Sequence, residues 1–182
     1  MRSALLLILV CLTAPIAAQQ APQPNTIVTF QQGVDFTPRA INNNGQIVGY
    51  YTPAPGEPTR GFLRSPEGVI QIIQAPIATT GDTRLHSIND LGEIVGTAGP
   101  DIARRAFIRA ADGQFLDFTT NPEASMIAYG INNSGFVVGS NKLLTARRYA
   151  FLRNLAGQLV TIAGLITEDA EAVAIANTTD RI

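Results

Sequence analysis

The segment AINNNGQIVGY, starting at Ala40, returns as SINDLGEIVGT from Ser87 and as GINNSGFVVGS from Gly130. The shared isoleucines, Ile41, Ile88 and Ile131, lie 47 and 43 residues apart. A period of this size constrains the fold more than any other feature. Each copy must be one supersecondary unit that buries its apolar face by stacking on its neighbours. Glycine follows each isoleucine four residues on (Gly45, Gly92, Gly135) and again eight residues on (Gly49, Gly96, Gly139). A second block comes after each copy: GFLRSPEGVIQI, AFIRAADGQFLDF and AFLRNLAGQLVTI. Phe62, Phe107 and Phe151 lead it, and Gly68, Gly113 and Gly157 fall six residues after them.

Four short strands per unit, a to d, account for this pattern. Runs of β-branched and aromatic residues bounded by Gly, Asn and Pro are strand signals, and no stretch beyond residue 18 shows a helical period over several turns. Strand a ends at the isoleucine of "IN". Strand b is QIVGY, EIVGT or FVVGS, where adjacent apolar residues such as Ile47 and Val48 require cover on both faces. Its glycine permits close backbone approach or a bulge. Strand c carries the phenylalanine. Strand d reads Val69-Ile70-Gln71-Ile72, Phe115-Leu116-Asp117-Phe118 and Leu159-Val160-Thr161-Ile162, with a leading copy at Ile27–Phe30. Its second and fourth positions are expected on a dry face and its polar third position on a wetter one. Asn42, Asn89 and Asn132 are expected to close the a–b turns by accepting from backbone N–H groups two residues on. Gly45, Gly92 and Gly135 supply the left-handed conformation there, and Gly68, Gly113 and Gly157 do so at the c–d turns. TEDAEAVAIAN is expected to be a degenerate strand a ending at Ile175, after which the fourth copy lapses: Ala176 stands where Asn132 does, and Thr179 where Gly135 does.

The expected fold is therefore all-β, with repeated four-stranded antiparallel meanders like propeller blades. Three to three and a half units make an incomplete ring or open arc, since a closed propeller typically needs at least four blades. A β-trefoil is the alternative. Unit boundaries are placed at 26–64, 65–109, 110–153 and a partial 154–182, within one β-repeat domain over 26–182. GINNSGFVVG followed by YAFLR resembles the HAF-type extracellular repeat of secreted bacterial proteins. The resemblance covers residues 26 to 177. It implies secretion and a repeated β architecture, with no established activity. The chain departs from the family's His-Ala-Phe run, having Arg60, Arg105 and Tyr149 two residues before the phenylalanines.

Residues 1–18 have the layout of a secretory signal peptide: Arg2, an apolar run, then small residues. The run is shorter than the roughly twenty residues of a membrane span. Cleavage is expected after Ala18, with 19–25 a flexible leader, placing the protein outside the cell or in the periplasm with no membrane span left. Cys11, the single cysteine, would leave with the signal. That removes thiol nucleophiles, thiolate ligands and disulfides. The formal net charge of −1 offers no electrostatic footprint for nucleic acid.

No catalytic constellation stands out. The single histidine, His86, takes the place of Arg39, Tyr129 and Val173 in other copies, so it reads as a surface-facing strand position. It has no second histidine or cysteine with which to build a zinc site. Ser87 and Asp90 beside it are a weak triad signal. Asp90, Glu93, Asp117 and Glu123 are the candidate carboxylates for a glycosidase, but none recurs between units. The Asn-rich turns carry too few carboxylates for a calcium loop. No metal or cofactor is expected. Arg60 and Arg64, Arg105 and Arg109, and Arg148 and Arg153 bracket strand c in each unit. They are expected to line one side of the assembly, as guanidinium forks for carboxylate or phosphate groups or as structural ion pairs. Three functions follow: a non-enzymatic module binding a protein or an extracellular or cell-surface polymer; a propeller-type hydrolase or lyase acting on polysaccharide; or a truncated remnant. Open sheet edges add self-association as a further expectation.

Overall fold

The computed structural model of the chain describes residues 30, 33–78, 81–121, 124–142, 148–162 and 170–177. The signal and leader segments, residues 27–29, Glu123 and Arg147 lie outside the described residues. Strands β1 (Val34–Ile41), β2 (Ile47–Thr52), β3 (Arg60–Arg64) and β4 (Ile70–Ile73) form one antiparallel meander. A second is β5 (Thr83–Ile88), β6 (Ile94–Ala98), β7 (Arg105–Arg109) and β8 (Phe115–Asp117). The third is β9 (Ser125–Ile131), β10 (Val137–Lys142), β11 (Arg148–Arg153) and β12 (Leu159–Thr161). The protein is an all-β open array of three such sheets, and no helix is found among the described residues. A trefoil would mix strands of different units in one barrel; here every sheet is built from a single unit. Each strand d pairs with the strand c before it, so the divisions at 64, 109 and 153 fall at c–d turns within sheets.

The core is what joins the units. Val48, Leu63 and Ile73 of the first sheet pack with Leu85, Ile88, Ile94 and Phe107 of the second. Val95 and Ala106, on the opposite face of the second sheet, pack with Met126, Ile131, Val137 and Phe151 of the third. Ile94 and Val95 are both fully buried and serve different interfaces, as adjacent strand residues must. Burying one such side chain contributes about 1.5–3 kcal/mol.

Strand b also accommodates a bulge. Pro38 pairs with Gly49 and Ala40 with Val48, leaving Arg39 extra in β1; His86 and Tyr129 are extra in the same way in β5 and β9. Glycine opposite the bulge is obligatory. A Cβ on Gly96 would sit 2.4 Å from the Arg84 carbonyl oxygen and 2.7 Å from the Phe107 ring.

Strand d differs from expectation. Arg64 pairs with Ile70, Arg109 with Phe115 and Arg153 with Leu159, so Ile70, not Val69, is the first position of β4. Asp117 is therefore level with Ile72 and Thr161. The second position is not dry: Leu116 is 50% and Val160 51% exposed. Strand d has a neighbour on one edge only, and it reaches the core from its first position through Phe115 and Leu159 and from its fourth through Ile73 and Phe118.

The fourth copy is not a strand. Residues 170–177 are not assigned to a strand, yet they keep the register of strand a. Ala170 N–H donates to the Arg148 carbonyl at 3.0 Å, as Thr83 N–H does to Thr59 and Met126 N–H to Arg104, each at 2.8 Å.

Candidate functional site

The a–b turns are joined to one another as well as closed. Asn42 Oδ1 accepts from the N–H groups of Asn44 (3.1 Å) and Gln46 (2.9 Å), and Asn89 and Asn132 repeat this pair of bonds. The same side chain's Nδ2 then crosses to the next unit. Asn42 donates to the Asn89 carbonyl (3.0 Å), Asn89 to Asn132 (3.1 Å) and Asn132 to Ala176 (3.4 Å). The following residue builds a second rail: Asn43 N–H donates to Asp90 Oδ1, Asp90 N–H to Asn133 Oδ1 and Asn133 N–H to Asn177 Oδ1, at 2.8, 2.8 and 2.6 Å. The Asp90 carboxylate also accepts from the amides of Asn43 and Asn133, so it bridges all three units. These donors, Asn133 first, hold its carboxyl below the usual range. The sequence signal for the second rail was present: position 43, 90, 133 or 177 is Asn or Asp in all four copies, including the lapsed one.

The arginines form two groups. Arg64, Arg109 and Arg153 are equivalent, at the turn end of strand c, each with its guanidinium against the glycine of the c–d turn. Arg64 and Arg109 donate to the carbonyls of Ser65 and Ala110, and Arg153 lies 5.4 Å from the centre of the Phe118 ring. At the other end, Arg60 pairs with Glu57 and Arg105 with Asp117. Arg148 is not their equivalent. It aligns with Arg104, one residue earlier, so it falls on the opposite face of its strand and pairs with Glu171 of the fourth copy. The six therefore do not line one side, because an offset of one residue in a strand reverses the side chain.

A groove opens beside the ladder at each junction between units. Between the second and third units it measures about 430 Å³ and is walled by Leu91, Ile108, Leu116 and Leu155, with Glu93 and Arg153. Between the first and second it measures about 220 Å³ and is lined by the equivalent Asn44, Leu63, Gln71 and Ala111, with Gln46 and Arg109.

His86 is not on the surface. As a bulge residue it lies 8% exposed between the rings of Tyr50 (6.2 Å) and Tyr129 (5.7 Å). Its Nε2 is 3.1 Å from Thr97 Oγ1. Burial, then Arg39, Arg104 and Arg84, push its pKa down to about 3. The sequence hid this because bulge positions tolerate varied side chains wherever neighbouring units leave room. Among the described residues no group of His, Cys, Asp or Glu is arranged to hold a metal. Among the described residues the other candidate acids have partners: Glu93 accepts from Asn89, and Asp117 from Arg105. No helix among the described residues is long and apolar enough to cross a membrane.

Comparison with protein-family models, with curated proteins and with solved structures finds no match to this chain.

Proposed function

We propose that the chain is a secreted, non-enzymatic module of the HAF-repeat type that binds an extended protein or an extracellular or cell-surface polymer along its inter-unit grooves. The observation that carries this reading is the recurrence of one groove at two successive junctions, with Arg109 and Arg153 at equivalent places. A partner with a regular spacing of groups meets an equivalently placed groove and arginine twice, and two weak sites joined in one partner bind together far more tightly than either alone. The arginines supply a fork for carboxylate, sulfate or phosphate groups, and Leu91, Ile108 and Leu116 supply apolar surface. Secretion rests on residues 2–18. The ladder and ion pairs occupy Asp90, Glu93 and Asp117, and this favours binding over a polysaccharide hydrolase or lyase.

The test is a screen of acidic and neutral glycans, polymers and extracellular proteins against the wild-type chain, followed by Arg109→Ala and Arg153→Ala. Each single variant is expected to weaken a captured partner about tenfold, and the double variant to abolish capture. Capture that survives the double variant would refute the groove reading, and turnover of a glycan would refute the non-enzymatic one.

A further inference from the structure

The two ends of the array are unlike, and their difference is chemical. The face of strand a that receives a preceding unit is buried in the second and third units, where Ile88 and Ile131 are each 6% exposed. In the first unit the equivalent Ile41 is 66% exposed and borders a groove of about 290 Å³ with Pro38, Ala40 and Ile47. The far half of this face is already covered, with Phe62 fully buried against Phe36 and Tyr51 buried beside it, so the open part is the ladder end at Ile41. That open end is continuous in kind with two interfaces the protein already makes. It also carries the ladder's accepting groups, since Asn42 and Asn43 occupy the register of Asn89 and Asp90, which accept from the unit before them.

At the other end, the third unit's donating face is covered by residues 170–177. That segment reproduces the ladder bonds that a following unit offers and adds two contacts of its own. Ala176 supplies the carbonyl for Asn132 Nδ2, and Asn177 supplies Oδ1 for Asn133 N–H. Glu171 pairs with Arg148, and Ala172 N–H donates to the Gly139 carbonyl at 3.4 Å. Alanine at 176 lacks the amide that in every other copy closes the turn and reaches onward. The segment accepts the third unit's ladder bonds but has no side-chain amide at 176 with which to extend the first rail.

We propose that residues 170–177 are a built-in cap occupying the face on which the first unit of a second copy of this chain would otherwise dock. The open ladder end at Ile41 and the capped ladder end at Asn132 are complementary, and their union is heterologous, so released copies join head to tail in an open series rather than a closed dimer. Tethering to the same chain gives the cap an effective concentration in the millimolar range, which keeps the dilute protein monomeric. Terminal units with a distinct outer face serve the same purpose in other repeat arrays. Pro38 within β1 discourages simple edge-to-edge pairing, because it removes a donor from that edge. The contact therefore runs face to face.

The test uses the full chain carrying Glu171→Arg and Ile175→Asp, examined by sedimentation velocity over a hundredfold concentration range with circular dichroism alongside. The wild type is expected to remain monomeric. The double variant is expected to keep its β signal and to populate dimer, trimer and larger species as concentration rises. Adding Ile41→Arg should return it to monomer, and a synthetic peptide spanning 168–178 in excess should do the same. Glu171→Gln and Asn177→Ala, which alter side chains at the cap only, should each give a partial shift. The proposal is overturned by a folded monomer in all three cap variants. It is equally overturned by oligomers that ignore Ile41→Arg, or by aggregates that lack the β signal.

Discussion

At the scale of single residues, His86 has the most readable chemistry. Its ring is buried between two tyrosines, and burial with three nearby arginines holds it neutral, with a pKa of about 3 against an ordinary 6.5. The unfolded chain has no such constraint. Below the ordinary value the unfolded state takes up a proton that the folded state refuses, so stability falls as pH falls. The contribution is fully present above pH 6.5 and is lost progressively between 6.5 and about 3. The slope is at most about 1.4 kcal/mol per pH unit. Thermal melts of the wild type should therefore drop steeply between pH 6.5 and 4. His86→Phe, which keeps the aromatic contacts and removes the titration, should flatten that part of the curve after the carboxylate contribution common to both is subtracted. Parallel curves for the two proteins would mean that His86 is not held neutral by the fold.

At the scale of the element, the a–b hairpin shows what a repeat makes legible. The turn was readable from Asn42 and Gly45 alone, because an Asx side chain two residues before a backbone N–H and a glycine with φ of 73° satisfy local rules. The ladder was not, because Asn42 Nδ2 and Asp90 find their partners 47 and 43 residues away. Spacing within one unit carries no information about the distance between units. The same limit explains strand d. Its composition was right, but in the first unit its start fell one residue early, at Val69, which only pairing with strand c corrects. In the other two units the register held, and the exposure of Leu116 and Val160 follows from how the sheets stack, which spacing within a strand does not carry. The ladder gives a direct prediction. Asp90→Ala removes the acceptor of the Asn43 N–H and frees the Asn133 amide group. Hydrogen exchange at the Asn43 amide should accelerate at least tenfold, while the Asn44 amide, held by Asn42 within its own turn, stays protected. Lowering the pH should have the same effect on the wild type only below the ordinary carboxyl range, since these donors depress the pKa of Asp90. Equal acceleration at both amides would show that the turn itself has opened and that the inter-unit bond is not the cause.

At the scale of the whole array, stability is a matter of junctions. Most buried apolar residues cluster between sheets, one cluster for the first junction and one for the second, while Phe62 and Tyr51 of the first sheet pack outside both, against Phe36. Such an array behaves as a sum of unit and nearest-neighbour contributions, so damage at one junction is felt on both of its sides and less beyond. Leu85 is the sharpest probe. It is fully buried on strand a of the second unit, and its side chain lies against Gly61 of the first, where a Cβ would meet it at 2.7 Å. Leu85→Ala opens a cavity that neither sheet can close, because Gly61 has no side chain to advance into it. The expected cost is about 2–5 kcal/mol. The loss should be uneven. The first unit, held by that junction alone, should melt or exchange first, while the third, held by Met126, Val137 and Phe151 against Val95, should retain most of its protection. Hydrogen exchange resolved along the chain would separate β1–β4 from β9–β12. If all three sheets lost protection together and to the same extent, the chain would be one cooperative block, and the two clusters would have to be coupled through Ile94 and Val95, the adjacent residues of β6 that serve the two junctions from opposite faces.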